Sequence, residues 1–302
     1  MLMAKDVKSG VILIDKVSGL TSHDVVSRIR KAMGIRRVGH CGTLDPLATG
    51  LLLICVGRYT RLSPWLTSAD KEYLSTFEFG SQSDTDDADG NITKLDDNSG
   101  IEEELLKDTL DDFQGTIMQV PPIYSAIRVG GQRSYKNARK GKDVTLKPRS
   151  VVIDKMDLVS YSYPEATFKI KCSKGTYVRA IARDLGQACG SAGYVRKLRR
   201  TKVGSIDIKN AITVQDLQEK CDRGDVESCF TNISDILVDL PHVHIENKSS
   251  ILKRFLNGNP IECHSSRNQG DHAVFDECGQ LLGIGRLSLD KLHPKMIMAI
   301  PI

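Results

Sequence analysis

The sequence lacks a long apolar run. The longest, Leu51 to Val56, is far short of the ~20 residues that a membrane-spanning helix needs. The opening MLMAKDVKSG carries lysines but no apolar stretch of secretory length behind it. A cytoplasmic location without a membrane partner is therefore expected. The eight cysteines (41, 55, 172, 189, 221, 229, 263, 278) contain no CxxC pair, and the seven histidines no HExxH or finger spacing. Cys55, Cys172 and Cys189 stand among apolar neighbours, so buried free thiols are expected, with no disulfide framework and no metal. No segment repeats at solenoid or propeller period. A large charge of one sign is missing too: 42 basic against 38 acidic residues leaves +4. That value alone says little about partners.

What is present is ordinary globular composition, 302 residues with 40% hydrophobic and 26% charged. It excludes disordered and fibrous classes and suits one large domain with a small one. Val11 to Ile14 reads as a buried strand. Thr21-Ser22 offers an N-cap to a helix with Val25, Val26, Ile29 and Met33 on its apolar face, and Gly34 ends it. Leu51 to Val56 is a strand, and Lys71 to Phe79 alternates, with Tyr73, Phe77 and Phe79 on one face. Ile101 to Phe113 reads as an amphipathic helix through Ile101, Leu105, Leu106, Leu110 and Phe113. Ala166, Phe168, Ile170 and Cys172 alternate with Thr167, Lys169 and Lys171, the pattern of a half-exposed antiparallel strand. Gly175-Thr176 opens a helix with Val178, Ile181, Ala182, Leu185 and Cys189 inward. Irregular mixing of strands and helices points to α+β, with a mixed, largely antiparallel sheet flanked by helices. A second, β-rich unit is expected from about Leu240-Pro241, with a hairpin at Ala273–Phe275 and Leu281–Ile284. Its ~60 residues are few for an independent core, so it should pack on the first unit.

The most unusual segment runs Arg36-Arg37-Val38-Gly39-His40-Cys41-Gly42-Thr43-Leu44-Asp45-Pro46-Leu47-Ala48-Thr49-Gly50. Its glycines allow tight turns and close backbone approach, and Pro46 holds Asp45 extended. A carboxylate is thereby fixed in a loop beside a histidine and two arginines. The residues alone leave a catalytic loop and an ordinary surface turn equally open.

This segment resembles the catalytic motif of the TruB family, the tRNA pseudouridine-55 synthases, which are related to eukaryotic dyskerin. Further matches follow in the family's order. They are Gly10 to Lys16 with Gly19-Leu20-Thr21-Ser22, Asp70-Lys71-Glu72-Tyr73, and the acidic loop Asp84-Thr85-Asp86-Asp87-Ala88-Asp89-Gly90. Pro121-Pro122-Ile123-Tyr124-Ser125-Ala126, Cys172 to Arg179, and Leu198-Arg199-Arg200 complete the set. The resemblance spans residues 10 to about 204. It implies a pseudouridine synthase fold over 1–239, with 121–150 as an RNA-gripping thumb. The tail 240–302 resembles the family's PUA-like module only loosely, and a structural cap remains open for it.

The resemblance implies isomerisation of uridine to pseudouridine at position 55, in the T arm of tRNA, by a monomer without cofactor. Asp45 matches the nucleophile and Arg179 the arginine that pairs with it. A guanidinium is always charged and grips a carboxylate bidentately, which would oppose the effect of burial on the acid. Arg179 read alone is a surface arginine, badly placed for the helix dipole in a first turn, so an acidic partner is expected. Tyr73 matches the active-site tyrosine, although its strand face alone favours a core aromatic. His40 matches the histidine that enters the RNA loop beside the extruded base. Tyr177 and Leu198 match pocket walls, and Lys16 a lysine with a packing or phosphate role. Asp84 is expected behind Arg179. The acidic loop is no EF-hand: with Gly90 as the obligatory glycine, position one is Thr85 and position twelve Asp96.

The segment 128–149 is rich in basic residues. Arg128, Arg133 and Arg139 within it, and Arg199 and Arg200 beyond, are expected to contact RNA, with Tyr124 and Tyr135 as stacking surface. Without the resemblance it is equally a solvated basic loop. Arg128 departs from the lysine usual in the family. Other readings stay open: a guide-dependent dyskerin-like subunit, an RNA-binding or RNA-folding protein without catalysis, and a metal-dependent hydrolase. The charge distribution sharpens the small net value. Residues 84–112 hold twelve acidic residues and two lysines, which leaves +14 on the other 273. A segregated basic surface is the footprint of a phosphate-bearing partner.

Overall fold

The computed structural model describes residues 9–96, 100–125, 127–129, 132–134, 145–246, 250–263 and 269–298. The fold is α+β, built on two sheets.

The larger sheet contains β1 (Gly10–Lys16), β2 (Val38–Cys41), β3 (Thr49–Val56) and β4 (Lys71–Phe79). A small ribbon, β5 (Ser81–Ser83) with β6 (Ile92–Lys94), stands apart from it. The sheet continues with β7 (Gly115–Gln119), and a second ribbon pairs β8 (Arg128–Val129) with β9 (Gln132–Arg133). Then come β10 (Arg149–Ser162), β11 (Glu165–Cys172), β12 (Gly193–Val203) and β13 (Ile206–Asp207). The order is β1-β3-β12-β4-β11-β10-β7, with β2 on β3 and β13 on β12. Every described pairing in this sheet is antiparallel except β3 with β12, which touch in parallel at Arg199–Thr49 and Arg200–Gly50.

Local chemistry explains the elements. Helix α1 (Ser22–Met33) starts at a capping box: the Thr21 hydroxyl accepts from the Asp24 N–H, and the Asp24 carboxylate accepts from the Thr21 N–H. It stops at Gly34, in the left-handed conformation at φ 66°. Val25, Val26 and Ile29 are buried at helical spacing. On β11, Ala166, Phe168, Ile170 and Cys172 are buried as the alternation requires, and Phe168 meets Phe77 at 4.8 Å between centroids. Helices α2 (Ser63–Ser68), α3 (Glu103–Leu110) and α4 (Val178–Ala188) follow, then α5 (Val214–Asp222), the short α6 (Ile233–Ile236) and α7 (Ser250–Leu256). Helix α3 is shorter than its pattern predicts. Leu106 and Leu110 face inward one turn apart, Ile101 packs ahead of the helix, and Leu105 turns outward at 47% exposure. Successive helical residues are rotated by ~100°, so Leu105 and Leu106 cannot share the narrow buried stripe.

The apolar run Leu51 to Val56 is explained by burial on both faces of β3. Leu52 and Ile54, with Ile12 and Ile14 of β1, join the core beneath α1 and α4. Leu51 and Leu53, with Val11 and Leu13, face a second core that includes Phe275, Leu281, Ile284 and Met296. Those last residues belong to the second sheet, ordered β14-β16-β17-β18-β15. Its strands are β14 (His242–Ile245), β15 (Ile261–Glu262), β16 (Gly270–Asp276), β17 (Leu281–Ser288) and β18 (Lys291–Ile297). The two sheets thus share a core. Trp65 Nε1 reinforces it by donating to Asp271 at 2.9 Å, and Lys295 pairs with the same carboxylate at 3.0 Å.

Candidate active site

The loop between β2 and β3, residues 42–48, is fixed along most of its length. Ser22, buried at the start of α1, accepts from the Leu44 N–H at 2.8 Å and donates to the Leu44 carbonyl at 3.0 Å. The Pro46 carbonyl accepts from the Gly19 N–H at 2.9 Å and from Lys16 Nζ at 3.2 Å. Asp89 accepts from the Leu47 N–H at 3.1 Å. Arg200 donates to the Gly42 carbonyl at 3.1 Å and to the Leu51 carbonyl at 2.7 Å. Gly50 makes this possible. At φ 101° it lies so near β12 that a Cβ there would stand 2.3 Å from the Arg200 carbonyl oxygen. The strand start and the buried arginine therefore meet backbone to backbone.

Asp45 projects from this frame with its side chain 34% exposed. Its Oδ2 lies 3.0 Å from Nε of Arg179, on the first turn of α4. Arg179 is only 4% exposed. Its Nη1 donates to the Thr85 carbonyl at 2.8 Å and lies 3.3 Å from Asp87 Oδ2, while Nη2 donates to the Tyr124 carbonyl at 2.9 Å. One guanidinium thus stands between two carboxylates, one partly exposed and one buried. Burial pushes the Asp87 carboxyl above its usual range, against the Thr85 hydroxyl and Arg179, which favour its ionised form. One turn along α4, on the same face, Arg183 pairs with Asp86 at 2.9 Å and donates to the Val120 carbonyl at 2.8 Å. The acidic loop is therefore docked on α4 by two arginines and tied to β12 by the Ala88 and Val195 backbone bonds.

The other expected residues lie on β2, β4, β12 and the turn before α4. Tyr73 sits on β4 opposite Arg200, 9% exposed, in the same core cluster as Phe77 and Phe79. Burial raises its phenol, and the charge of the nearby Arg200 works the other way. Leu198 is buried on β12, two residues before Arg200. The Tyr177 backbone is clamped by the buried Gln119 side chain, which accepts from its N–H at 2.8 Å and donates to its carbonyl at 3.0 Å. The Arg149 guanidinium lies 4.6 Å over the Tyr177 ring, a cation–π contact. His40 lies on β2, and burial lowers its pKa below the usual 6.5, with Arg200 and His23 adding to the effect.

Three cations lie beneath the loop. Lys16 is fully buried and donates to the Val17, Leu20 and Pro46 carbonyls. Burial lowers it to about 8, with the Asp45 charge opposing. Lys71, donating to the Thr67 and Ala69 carbonyls, is likewise lowered by burial to about 8. Arg200 is 1% exposed.

Several placements differ from expectation. Arg200 is spent on backbone carbonyls inside the protein and offers nothing to a phosphate. Arg199 is engaged by Asp15, at 3.0 and 2.7 Å. Asp84 is exposed and closes its own turn, accepting from the Asn91 N–H at 2.9 Å and its side-chain amide at 2.8 Å. Asp87 and the Thr85 carbonyl take the place behind Arg179 instead. Arg128 and Arg133 face one another across the β8–β9 ribbon, and their side chains, like the whole of Arg139, lie outside the described residues. The sequence alone assigns no role in the site to Asp87, Gln119 or Ser22. Ser22 carries a signal as the start of a helix, and Asp87 as a member of the acidic loop. Gln119 carries none. Among the described residues no group of His, Cys, Asp or Glu is placed to hold a metal ion, and no helix is long and apolar enough to cross a membrane.

Residues 30–178 match the TruB family pseudouridylate synthase N-terminal domain. A tRNA pseudouridine synthase B of Ruegeria pomeroyi is 37% identical over 295 residues, 97% of this chain and 96% of that protein. The chain belongs to the TruB family of pseudouridylate synthases. The family's tRNA pseudouridylate synthase B C-terminal domain matches residues 179–240. The two matches meet at Arg179, so Asp45, Tyr73 and Asp87 come from one and Arg179, Leu198 and Arg200 from the other. Two further TruB-type relatives carry the same name. That of Burkholderia pseudomallei is 36% identical over 302 residues, 98% of this chain and 99% of its own. That of Opitutus terrae is 40% identical over 218 residues, 72% and 90% of the two chains. Among solved structures, an H/ACA RNP bound to a substrate RNA containing 2′-deoxyuridine has a chain with TM-score 0.74 and 21% identity. The match covers 97% of this chain and 86% of that one. A chain of a Cbf5-Nop10-Gar1 complex gives TM-score 0.74 at 22% identity, over 96% and 85%. These two show the fold shared by the TruB family.

Proposed function

We propose that this chain, acting as a monomer, converts a uridine of tRNA to pseudouridine at position 55 in the T arm, with Asp45 as the nucleophile. The observation that carries the reading is the Asp45–Arg179–Asp87 arrangement: a partly exposed carboxylate held against a buried guanidinium, in a loop braced on every side. The substrate relationship rests on the family and on relatives named as tRNA pseudouridine synthases.

The reaction needs no redox partner. The glycosidic C1′–N1 bond breaks, the uracil turns, and C5 bonds to C1′; the C5 proton leaves to a base and N1 takes up a proton, so atoms and electrons balance within the nucleoside. Asp45 adds through one carboxylate oxygen and is released at the end. Arg179 supplies fixed positive charge beside that oxygen, in a site where partial burial strengthens electrostatic contact. A paired uridine must leave the stack to reach Asp45. Tyr73, Leu198 and Tyr177 would wall the extruded base, with the Tyr73 hydroxyl taking part in proton transfer.

The test is chemical mapping of pseudouridine in an unmodified tRNA and in the isolated T-arm hairpin after treatment with the purified chain. One new pseudouridine at position 55 in both is expected. Its absence from both, or its appearance only with an added guide RNA, contradicts the proposal.

A further inference from the structure

The far end of α1 carries a basic surface that the site does not use. Arg30, Lys31 and Arg36 border a shallow depression of about 450 Å³ floored by Gly34 and Ile35. All three side chains are exposed, as are Arg37 and Arg61. Among the described residues none of these five forms an ion pair. This contrasts with Arg179, Arg183, Arg196, Arg199 and Arg223, each of which meets a carboxylate.

The surface is organised. Arg30 donates to the Val38 carbonyl at 2.7 Å, which fixes its guanidinium over the start of β2. Arg37 Nε donates to the Thr60 hydroxyl at 2.8 Å, and Arg61 to the Ile297 carbonyl at 2.7 Å. The strip therefore runs from the end of α1, across the 3-10 turn Gly57–Leu62, to the edge of the C-terminal sheet. A Cβ built on Gly34 would meet nothing within 4 Å, so the depression is open to a ligand. The C-terminal dipole of α1 favours nearby cations, an effect that falls off within the last turn. It accounts for Arg30 and Lys31, not for a strip that continues past the helix.

The strip is mechanically joined to the site. Ser22, at the other end of the twelve-residue α1, holds Leu44 next to Asp45. At 1.5 Å per residue the helix separates its two ends by ~17 Å. Arg37 directly precedes β2 and is three residues before His40, ~10 Å of extended chain. Both spans correspond to a few nucleotides of RNA backbone.

We propose that Arg30, Lys31, Arg36, Arg37 and Arg61 form a phosphate-binding strip that holds the backbone of the substrate RNA some nucleotides away from the reacting uridine. The inference rests on the tRNA-modifying reading above. The strip positions RNA and does not touch the reacting atoms, so its contribution is to KM. Removing one phosphate-binding cation lowers the slope of log affinity against log salt by ~0.7–0.9.

The variant Lys31→Glu/Arg36→Glu tests it, since among the described residues neither side chain has a hydrogen-bond partner whose loss would disturb the fold. Lys155→Glu/Lys171→Glu, on β10 and β11, makes the same change in net charge elsewhere. Initial rates on unmodified tRNA and anisotropy binding of labelled tRNA are read from low to high salt. Expected for the first variant is a KM raised about tenfold, kcat within twofold, and a salt slope smaller by roughly 1.5 for two phosphates, with the control near wild type. An unchanged KM and slope, or an equal loss in the control, overturns the proposal. If wild type makes no pseudouridine, the functional reading fails, and the binding experiment still decides the strip.

Discussion

Nε of Arg179 lies 3.0 Å from Oδ2 of Asp45, and the same guanidinium meets Asp87 at 3.3 Å. Nε makes this contact without hydrogen-bond alignment. The directed bonds of Arg179 go to the Thr85 and Tyr124 carbonyls. Arg179 is thus held by the backbone behind it and presents charge to Asp45.

Arg179→Met leaves Asp87 buried and unpaired. The expected result is loss of activity together with a stability loss of ~3–5 kcal/mol in urea unfolding. Adding Asp87→Asn removes the stranded charge. The double variant should regain much of the stability and none of the activity. If it stays as unstable as the single variant, or regains activity along with stability, the division of roles is wrong.

Lys16 makes stability depend on pH in a defined direction. Its folded pKa is about 8, against 10.5 for the ordinary lysine, through burial. Between those values the unfolded chain binds the additional proton, so this group makes stability rise with pH from about 8 to 10.5. Below pH 8 both states are protonated and the contribution is flat. Lys71 acts in the same direction, so the comparison is with a variant. In Lys16→Met the rise should be smaller by this group's share. Parallel unfolding profiles for both proteins from pH 7 to 10.5 would contradict the buried, carbonyl-bound ammonium.

Gly50→Ala places a Cβ against the Arg200 backbone at a positive φ. A loss of at least ~2–3 kcal/mol is expected from strain alone, with lower activity because the loop bearing Asp45 ends there. Gly34→Ala is the comparison, positive in φ but with open space around it. It should lose less. Equal losses in urea would show that φ, not contact with β12, sets the requirement.

Much of the fold is legible in the sequence where a local rule decides the outcome. The capping box at Thr21 and Asp24, the stop at Gly34, and the alternation in β11 depend on neighbours in the chain. The loop around Asp45 is legible because its glycines, Asp-Pro and flanking basic residues are unusual together. Arg200 is not: its position in a basic run suggests solvent, and only the parallel contact of β12 with β3 buries it. Asp84 and Asp87 sit three residues apart in one acidic loop, and which of them faces Arg179 depends on how that loop docks on α4. Gln119 reaches Tyr177 across 58 residues, a pairing made by the β7–β10 edge rather than by any pattern in the sequence.

The most direct test of the central claim is pseudouridine formation by Asp45→Asn beside wild type. Both are assayed on the same unmodified tRNA, with binding measured on the same samples. Asparagine is nearly isosteric and keeps the loop bonds of Leu44, Pro46 and Leu47, but it has no carboxylate oxygen to add to the nucleoside. The predicted result is no detectable pseudouridine with tRNA affinity within a fewfold of wild type. Pseudouridine formed by Asp45→Asn at the wild-type rate would contradict a nucleophilic Asp45.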